Sequence, residues 1–324
     1  MLRRNCSDPF FGCLLALVAS LACAQDYPSR TVHIIVPSTP GGGYDVIGRL
    51  LAERFTADFG QPFIVENRAG GGTLVGTQAV ATATPDGTML LIGGLANMAF
   101  NVGLHKSLPY DPVRDFAPVA MVGAFTYALV GRKDLSTANL RQLIDAARAN
   151  PGKLSIATSG IGTGQHVSAL MLKRFANIDL LEVSYKGAQP AYLDLLAGRV
   201  DLFFDNTTTA RPFIMDGRVK PYITSGSVRD ALLPDVPTAA EAGLPDLVLD
   251  SWIGLFAPAK TPPKTIERLR GATLKAVADP EVRRRLEATG WRVISMSPEE
   301  TRAFVKREAE KWPALLQQAG IRPE

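Results

Sequence analysis

Three consecutive glycines, Gly41 to Gly43, form the strongest candidate site for chemistry in this sequence of 324 residues. The apolar residues 33–36 precede them, and residues 46–55 repeat apolar side chains at helical spacing, which predicts a strand, a loop and a helix. Glycine lets the backbone approach a ligand closely, and the first turn of a helix offers unpaired N–H groups with a partial positive charge. The loop is therefore a candidate site for an anion.

Two better-known phosphate-binding motifs do not fit this loop. A P-loop requires lysine and then serine or threonine at the helix start, where this sequence has Tyr44 and Asp45. A dinucleotide-binding fingerprint requires a third glycine at the position of Val46. A tight turn that needs glycine for its geometry alone remains the alternative for any one of the three glycines.

Residues that enzymes and metal sites use are sparse in this chain. It contains no Gly-x-Ser-x-Gly elbow and no His-Glu-x-x-His motif, its three histidines are scattered, and its three cysteines all precede Ala24. We predict that the protein is not an enzyme and has no catalytic residue, no metal and no cofactor. A secreted hydrolase whose catalytic triad is assembled from distant residues remains an alternative.

The first residues have the pattern of an export signal. Arg3 and Arg4 precede the apolar residues 10–24, which are too few to span a bilayer and end in a small-x-small cleavage pattern at Ala24. We predict that residues 1–24 are a signal peptide and that the mature protein is periplasmic. A lipid-modified Cys23 is the alternative.

Charge and the order of elements limit the class of protein. The formal net charge is +4 and the charged residues are dispersed, so no nucleic-acid partner is expected. Four or more strand-then-helix units predict an α/β architecture with mostly parallel sheets. A chain of about 300 residues is long enough for two domains.

Two long apolar segments predict how the domains are connected. Residues 119–130 read as a strand that carries the chain into a second domain, and residues 251–257 as the strand that returns it. The resulting division is residues 25–122 plus 248–324 for domain 1 and residues 123–247 for domain 2. Polar groups follow the strands of both predicted domains, which predicts a ligand cleft between the two domains.

Short segments in a fixed order carry a resemblance to a known family. They are Tyr27-Pro28-Ser29-Arg30, Pro40-Gly41-Gly42-Gly43-x-Asp45, Glu66-Asn67-Arg68, Leu108-Pro109-Tyr110-Asp111-Pro112, Gly162-Thr163-x-x-His166, Tyr185-Lys186-Gly187, Asp205-Asn206, Leu233-Pro234-Asp235-Val236-Pro237-Thr238 and Gly254-Leu255-Phe256-Ala257-Pro258. On these segments the sequence resembles the Bug-family extracytoplasmic solute receptors, the binding-protein component associated with tripartite tricarboxylate transporters.

The resemblance implies a fold, a ligand and partners. The fold is periplasmic-binding-protein-like (type II), with two α/β domains that close on a small carboxylate. The expected ligand is a mono-, di- or tricarboxylate, with an amino acid or an aromatic acid as further options. The protein is expected to be a monomer that delivers its ligand to membrane transporter subunits. The alternative is a receptor whose ligand-bound form is recognised by a membrane sensor.

The resemblance also carries over a set of ligand-binding residues, which in that family act largely through backbone N–H groups, hydroxyls and bridging waters. They are Ser38, Thr39, Gly41, Gly42, Gly43, Tyr44, Asp45, Ala96, Asn97, Ser159, Gly162, Thr163, Tyr185, Gly187, Ala188 and Asp205. Ser38 and Tyr44 depart from the family pattern. Ser38 stands where an aromatic residue is frequent, and Tyr44 stands where a small or hydroxylated residue is frequent, so the ligand cannot be taken from a relative. For Asp45 and Asp205, capping of a helix is the alternative role.

Overall fold

The structure, a computed structural model, describes residues 27–318, 320, 321 and 323. The predicted signal peptide and its alternative, the lipid-modified Cys23, lie outside the described residues. Within the described range, no helix combines the length and apolar character needed to cross a membrane.

Strands and helices alternate along most of the described chain. The strands are β1 Val32–Val36, β2 Phe63–Asn67, β3 Met89–Gly94, β4 Phe116–Arg132, β5 Ser155–Thr158, β6 Leu181–Ser184, β7 Leu202–Asn206, β8 Val219–Thr224, β9 Asp250–Pro258 and β10 Arg292–Val293. The helices are α1 Gly43–Phe59, α2 Leu74–Ala81, α3 Asn101–Leu104, α4 Leu140–Ala149, α5 Gly164–Ala176, α6 Ala188–Leu196, α7 Thr207–Met215, α8 Pro263–Ala278, α9 Pro280–Ala288 and α10 Pro298–Gln318. A 3₁₀ turn, Gly71–Thr73, precedes α2, and a π-helical turn, Ala96–Phe100, precedes α3.

Two groups of parallel strands lie in the sheet. In the first group β1 lies between β2 and β3, and in the second β5 lies between β6 and β7. The antiparallel strands β9 and β4 connect the groups, so the order is β2-β1-β3-β9-β4-β7-β5-β6, and β8 and β10 also pair with β4. Because parallel strands end at the same edge of a sheet, the loops after each group gather at one place.

The strand β4 belongs to both halves of the sheet. Its residues 116–126 pair with β9, and its residues 127–132 pair with β7 and β8. The predicted crossing strands 119–130 and 251–257 are thus parts of β4 and β9. The predicted α/β class is confirmed, and the division into two domains at residues 123 and 248 stays a prediction.

Buried apolar side chains hold the strand β1 against the helix α1, which follows the glycine loop. Ile34 and Ile35 of β1 are fully buried, as are Ile47, Leu51 and Phe55 at helical spacing on α1. Burial of each such side chain contributes about 1.5–3 kcal/mol. The strand and the helix are therefore held together on both sides of Gly41 to Gly43.

Candidate ligand-binding cleft

A cavity of about 830 Å³ lies where the loops of both strand groups meet. Loops that follow β1, β2, β3, β5, β6 and β7 line it, together with two residues of β4. By segment, the lining consists of residues 37–44, 69–73, Ala96, His105, Phe125, Tyr127, 159–161, 163–165, 184–189, Asp205, Asn206 and Thr209. Both groups of parallel strands thus face one cleft, as the sequence predicts.

Most of the predicted site residues line this cleft. They are Ser38, Thr39, Gly41, Gly42, Gly43, Tyr44, Ala96, Ser159, Thr163, Tyr185, Gly187, Ala188 and Asp205. Asp45, Asn97 and Gly162 are not among the lining residues. Lining a cavity is not the same as touching a ligand, so the role of each lining residue in binding stays a prediction.

Three helices begin at the cleft with their first turns uncapped by side chains. The residues that precede α1, α6 and α7 are Gly42, Gly187 and Asn206, and none makes a side-chain capping hydrogen bond. Among the described lining residues, Lys186 is the only lysine or arginine. Helix starts carry a partial positive charge, so the cleft attracts an anion mainly through backbone N–H groups.

Asp45 holds the first glycine loop from behind. Its carboxylate accepts hydrogen bonds from the Gly41 amide, Arg49 Nε and Asn67 Nδ2, each at 2.9 Å. Gly41 has a φ of +84°, a conformation that favours glycine. Burial alone would raise the pKa of Asp45, but these hydrogen bonds lower it, so the carboxylate stays ionised. The structure therefore gives Asp45 the task of shaping the loop.

A second glycine loop, residues 70–73, lines the cleft although it is absent from the predicted site. Gly70, Gly71, Gly72 and Thr73 all have positive φ values. Asn101 Nδ2 donates to Gly72 O at 3.2 Å and to Thr73 Oγ1 at 3.1 Å, which fixes this strained turn. The sequence does hold a signal for it, because three glycines follow a strand here just as they do after β1.

Asn97 lies beneath the cleft in a buried network of hydrogen bonds. Its Oδ1 accepts from the Gly94 amide at 2.8 Å, and its Nδ2 donates to Thr77 Oγ1 at 2.9 Å. The neighbouring Ala96 does line the cleft, and its amide donates to the Tyr44 hydroxyl at 3.4 Å. Burial raises the pKa of Tyr44 well above its ordinary value, so this hydroxyl stays neutral.

Thr163 caps the helix α5. Its Oγ1 accepts from the His166 amide at 3.3 Å and donates to Gly160 O at 2.7 Å. The nearby Gly162 has a φ of +81°, and its amide donates to His166 Nδ1 at 3.3 Å. The Thr163 hydroxyl is thus used within its own loop, and Ser159 donates to the same oxygen at 3.4 Å.

Tyr185 and Gly187 follow β6 at the opposite side of the cleft. The Tyr185 hydroxyl donates to Asp194 Oδ2 at 2.9 Å on α6, and burial together with this carboxylate raises the pKa of Tyr185. Gly187 has a φ of +103° and precedes Ala188, the first residue of α6. The Tyr185 hydroxyl is therefore bound to α6, and the loop offers its backbone to the cleft.

The two sides of the cleft touch at glycines. A methyl group added to Gly72 would lie 1.9 Å from the carbonyl oxygen of Ile161, and one added to Gly187 would lie 2.4 Å from Thr39 Oγ1. In both pairs one residue follows a strand of the first group and the other follows a strand of the second. The cleft is therefore in a closed arrangement that larger side chains at these positions would prevent.

Asp205 borders the cleft and is fully buried. It lies inside β7, opposite Ala128 of β4, and its Oδ1 accepts from Gln165 Nε2 at 3.0 Å. Its Oδ2 has no hydrogen bond of ordinary geometry among the described residues, and neither has the hydroxyl of Tyr192, although this hydroxyl acts on Asp205 as a donor and lowers its pKa. Burial raises the pKa of Asp205 to about 7, far above the value of an exposed carboxyl. At neutral pH this side chain is partly protonated.

Several lining residues have no counterpart in the predicted site. Phe125 and Tyr127 come from β4, and Gln165 from the first turn of α5. His105 also lines the cleft, and its Nε2 is buried without a partner among the described residues. Asn206, by contrast, has a signal in the sequence, since it stands beside Asp205 in a segment that carries the family resemblance.

Comparison with known proteins gives a family and close relatives. Residues 47–321 match the family described as "Tripartite tricarboxylate transporter family receptor". Protein BugT of Bordetella pertussis is 33% identical over 306 residues, which make up 94% of this chain and 94% of BugT.

Solved structures agree with the sequence match. The periplasmic binding protein BugD is 34% identical with a TM-score of 0.87, over 92% of this chain and 100% of BugD. An R. palustris protein solved with adipate is 31% identical with a TM-score of 0.87, over 92% of this chain and 100% of that one. MatC from Rhodopseudomonas palustris with bound malate is 34% identical with a TM-score of 0.85, over 90% of this chain and 100% of MatC. The predicted periplasmic-binding-protein-like fold is confirmed by these likenesses.

Proposed function

Because this chain belongs to the tripartite tricarboxylate transporter receptor family, whose solved relatives include the Bug-type binding protein BugD, we propose that its cleft captures a small carboxylate for transport. The observation that carries this proposal is the convergence of three uncapped helix starts, those of α1, α6 and α7, on one cavity. The relatives solved with adipate and with malate support the same ligand class.

The geometry suits a carboxylate held by the backbone. The start of α1 borders the cleft from the first strand group, and the starts of α6 and α7 border it from the second, which places N–H groups without helical partners beside the cavity. A carboxylate oxygen accepts several such hydrogen bonds, and charge-assisted bonds of this kind contribute about 1.5–3 kcal/mol each. A ligand with a carboxylate at either end would therefore hold both sides of the cleft together.

The size of the cleft leaves room for water as well as ligand. A volume of about 830 Å³ exceeds what a small dicarboxylate fills. Water molecules that bridge the ligand to Ser38, Ser159 or Thr209 would occupy the remainder, at little cost in affinity. The cleft is thus compatible with several chain lengths of acid.

Family and fold are those of binding proteins, and we propose that this chain binds its ligand without converting it. We place it in the periplasm, where it delivers the ligand to the membrane subunits of a tripartite tricarboxylate-type transporter. Closure of the two strand groups over the ligand, as in the contact of Gly72 with Ile161, gives those subunits a loaded form to recognise.

A ligand screen tests the proposal. Malate, adipate, other mono-, di- and tricarboxylates, amino acids and aromatic acids are added to the purified protein, and thermal unfolding is followed. A ligand at about 100 times its Kd stabilises the native state by about 2.7 kcal/mol, so at least one acid is expected to give a clear shift. Mass spectrometry of material released by denaturation identifies a ligand retained through purification. The proposal would be contradicted if no acid shifted the thermal unfolding transition and the molecule released on denaturation were not a carboxylate.

A further inference from the structure

We propose that the cleft captures its carboxylate together with one proton, which the side chain of Asp205 carries. This rests on the proposed function and adds to it a property of the bound state. A hydronium ion of the surrounding water gives up the proton, so that one of its O–H bonds breaks while an O–H bond forms at Oδ2 of Asp205; no covalent bond of the ligand changes.

The position of Asp205 gives the first argument. Its side chain is fully buried directly beside the cavity, and Gln165 Nε2 donates to Oδ1 at 3.0 Å. Oδ2 has no hydrogen bond of ordinary geometry among the described residues, and the Asn206 amide and the Tyr192 hydroxyl lower the pKa of Asp205 by less than burial raises it. A buried carboxylate with an unpaired oxygen is costly, and protonation of that oxygen removes the charge that makes it so.

The charges around Asp205 give the second argument. From β4 the facing titratable group is Tyr127 and from α6 it is Tyr192, and burial keeps both phenols neutral. The Tyr192 hydroxyl acts on Asp205 as a hydrogen-bond donor and lowers its pKa, but burial outweighs this effect. The only charged side chain of α7, Arg211, donates to the carbonyl oxygen of Ala288 at 3.0 Å. No described cation therefore pairs with Asp205.

The other packed elements add no compensating charge. On α5 the residue beside Gln165 is His166, whose ring is engaged by the Gly162 amide and lies 3.6 Å from Glu182. The strand β5 contains no charged residue, and Lys186 lies exposed in the lining of the cleft. An anion that enters the cleft therefore adds a second negative charge near Asp205, which drives proton uptake.

The sign of the pH dependence follows from linkage. Burial raises the pKa of Asp205 to about 7 in the closed arrangement of the cleft, and a bound anion raises that pKa further. Below about pH 7 Asp205 is protonated both with and without ligand, so the affinity is at its highest and does not change with pH. Above it, affinity falls by up to about tenfold per pH unit until the pKa of the bound state is passed. At pH 7 and above the ligand carboxylates are ionised, because a carboxyl ordinarily has a pKa of about 4.

Calorimetry measures the proton directly. The acid with the largest thermal shift is titrated into the protein at about pH 8, in two buffers with different heats of ionisation, and the difference gives the protons taken up. We expect more than about half a proton per ligand and a Kd that rises at least several-fold between about pH 7 and pH 9. Asp205→Asn is expected to take up none and to bind with a flat pH profile. Asp216→Asn changes the net charge equally at an exposed position and is expected to behave like the natural protein.

Infrared spectroscopy tests the side chain without ligand. A protonated carboxyl band is expected at about pH 6, lost by about pH 9 and absent from Asp205→Asn. Absence of this band from the natural protein would overturn the proposal even if Asp205→Asn failed to fold. A ligand that binds tightly with no proton uptake overturns this proposal alone, whereas a panel without any binder overturns the carboxylate function as well.

Discussion

The side-chain amide of Gln165 donates to Oδ1 of Asp205 over 3.0 Å, and it thereby joins the first turn of α5 to the strand β7. The bond decides which oxygen of the carboxylate remains unpaired among the described residues. It also links the loop that follows β5 to the end of β7, both of which belong to the second strand group.

Gly43→Val is expected to weaken ligand binding. A Cβ at this position would already lie 3.3 Å from Asn206 Nδ2 and 3.3 Å from the Trp291 ring, so the branched side chain must displace the start of α1 or its neighbour. We expect affinity to fall by at least about tenfold, or about 1.4 kcal/mol, by calorimetric titration. Gly271→Val, in open space on α8, is the control that should leave affinity unchanged. Equal affinities in the two variants would place the ligand elsewhere.

Gly72→Ala is expected to prevent closure of the cleft. The new methyl group would lie 1.9 Å from the Ile161 carbonyl oxygen, and the φ of +60° adds backbone strain of about 1 kcal/mol. Gly60→Ala has a similar φ of +67° but meets nothing within 4 Å, so it should lose similar stability without losing affinity. Small-angle scattering with and without ligand reports closure. Normal ligand-induced compaction of Gly72→Ala would refute the contact.

Thr163→Ala is expected to destabilise the protein by removing the cap of α5. Loss of a side-chain cap costs about 1 kcal/mol, and the hydrogen bond to Gly160 O is lost with it. Thr163→Ser keeps the hydroxyl and should restore most of the free energy of unfolding, measured by urea denaturation. If instead Thr163→Ala loses ligand affinity with no change in stability, the hydroxyl binds the ligand directly, as the family resemblance suggests.

Glu182 is expected to stabilise the protein in a pH-dependent way. His166, 3.6 Å away, and Lys173, 2.7 Å away, lower the pKa of Glu182 from 4.5 to about 2. A depressed carboxyl pKa contributes stability that is complete above the unfolded value and lost as the pH falls from 4.5 towards 2. Glu182→Gln should therefore be less stable than the natural protein at about pH 7 and approach it on acidification. Urea unfolding of both proteins at about pH 7 and again below pH 4.5 checks this. Glu267→Gln, at a more exposed position, is a control whose stability should change less between the two pH values. A stability difference that does not shrink on acidification would assign the effect to packing.

Local patterns are sufficient to find the first glycine loop of the cleft. Gly41 to Gly43 stand where an apolar run ends and helical spacing begins, and both features can be read within about ten residues of sequence. The strand β4 is also visible as an apolar segment, although pairing with β9 extends it at its start and pairing with β7 and β8 extends it at its end. These elements depend on neighbours in the chain.

Features that depend on distant partners were not accessible from the sequence. The family resemblance predicts Asp45 as a ligand contact, and its place on the first turn of α1 suggests a helix cap, but Asn67, 22 positions further on, donates to its carboxylate and helps hold it against the loop. Tyr127 reaches the cleft because β4 runs beside β7, and no periodicity in the sequence indicates that pairing. The burial that changes the pKa of Asp205 likewise arises only from tertiary packing.

The uncapped starts of α1, α6 and α7 have an evolutionary consequence. Main-chain N–H groups are the same whichever side chain a residue carries, so mutation at positions such as Ser38 or Tyr44 can alter the shape of the cleft while the grip on a carboxylate persists. A receptor built in this way can change its preferred acid through a few substitutions without passing through a form that binds nothing. Divergence among relatives that share about a third of their residues would then consist largely of exchanges of bulk around a constant backbone.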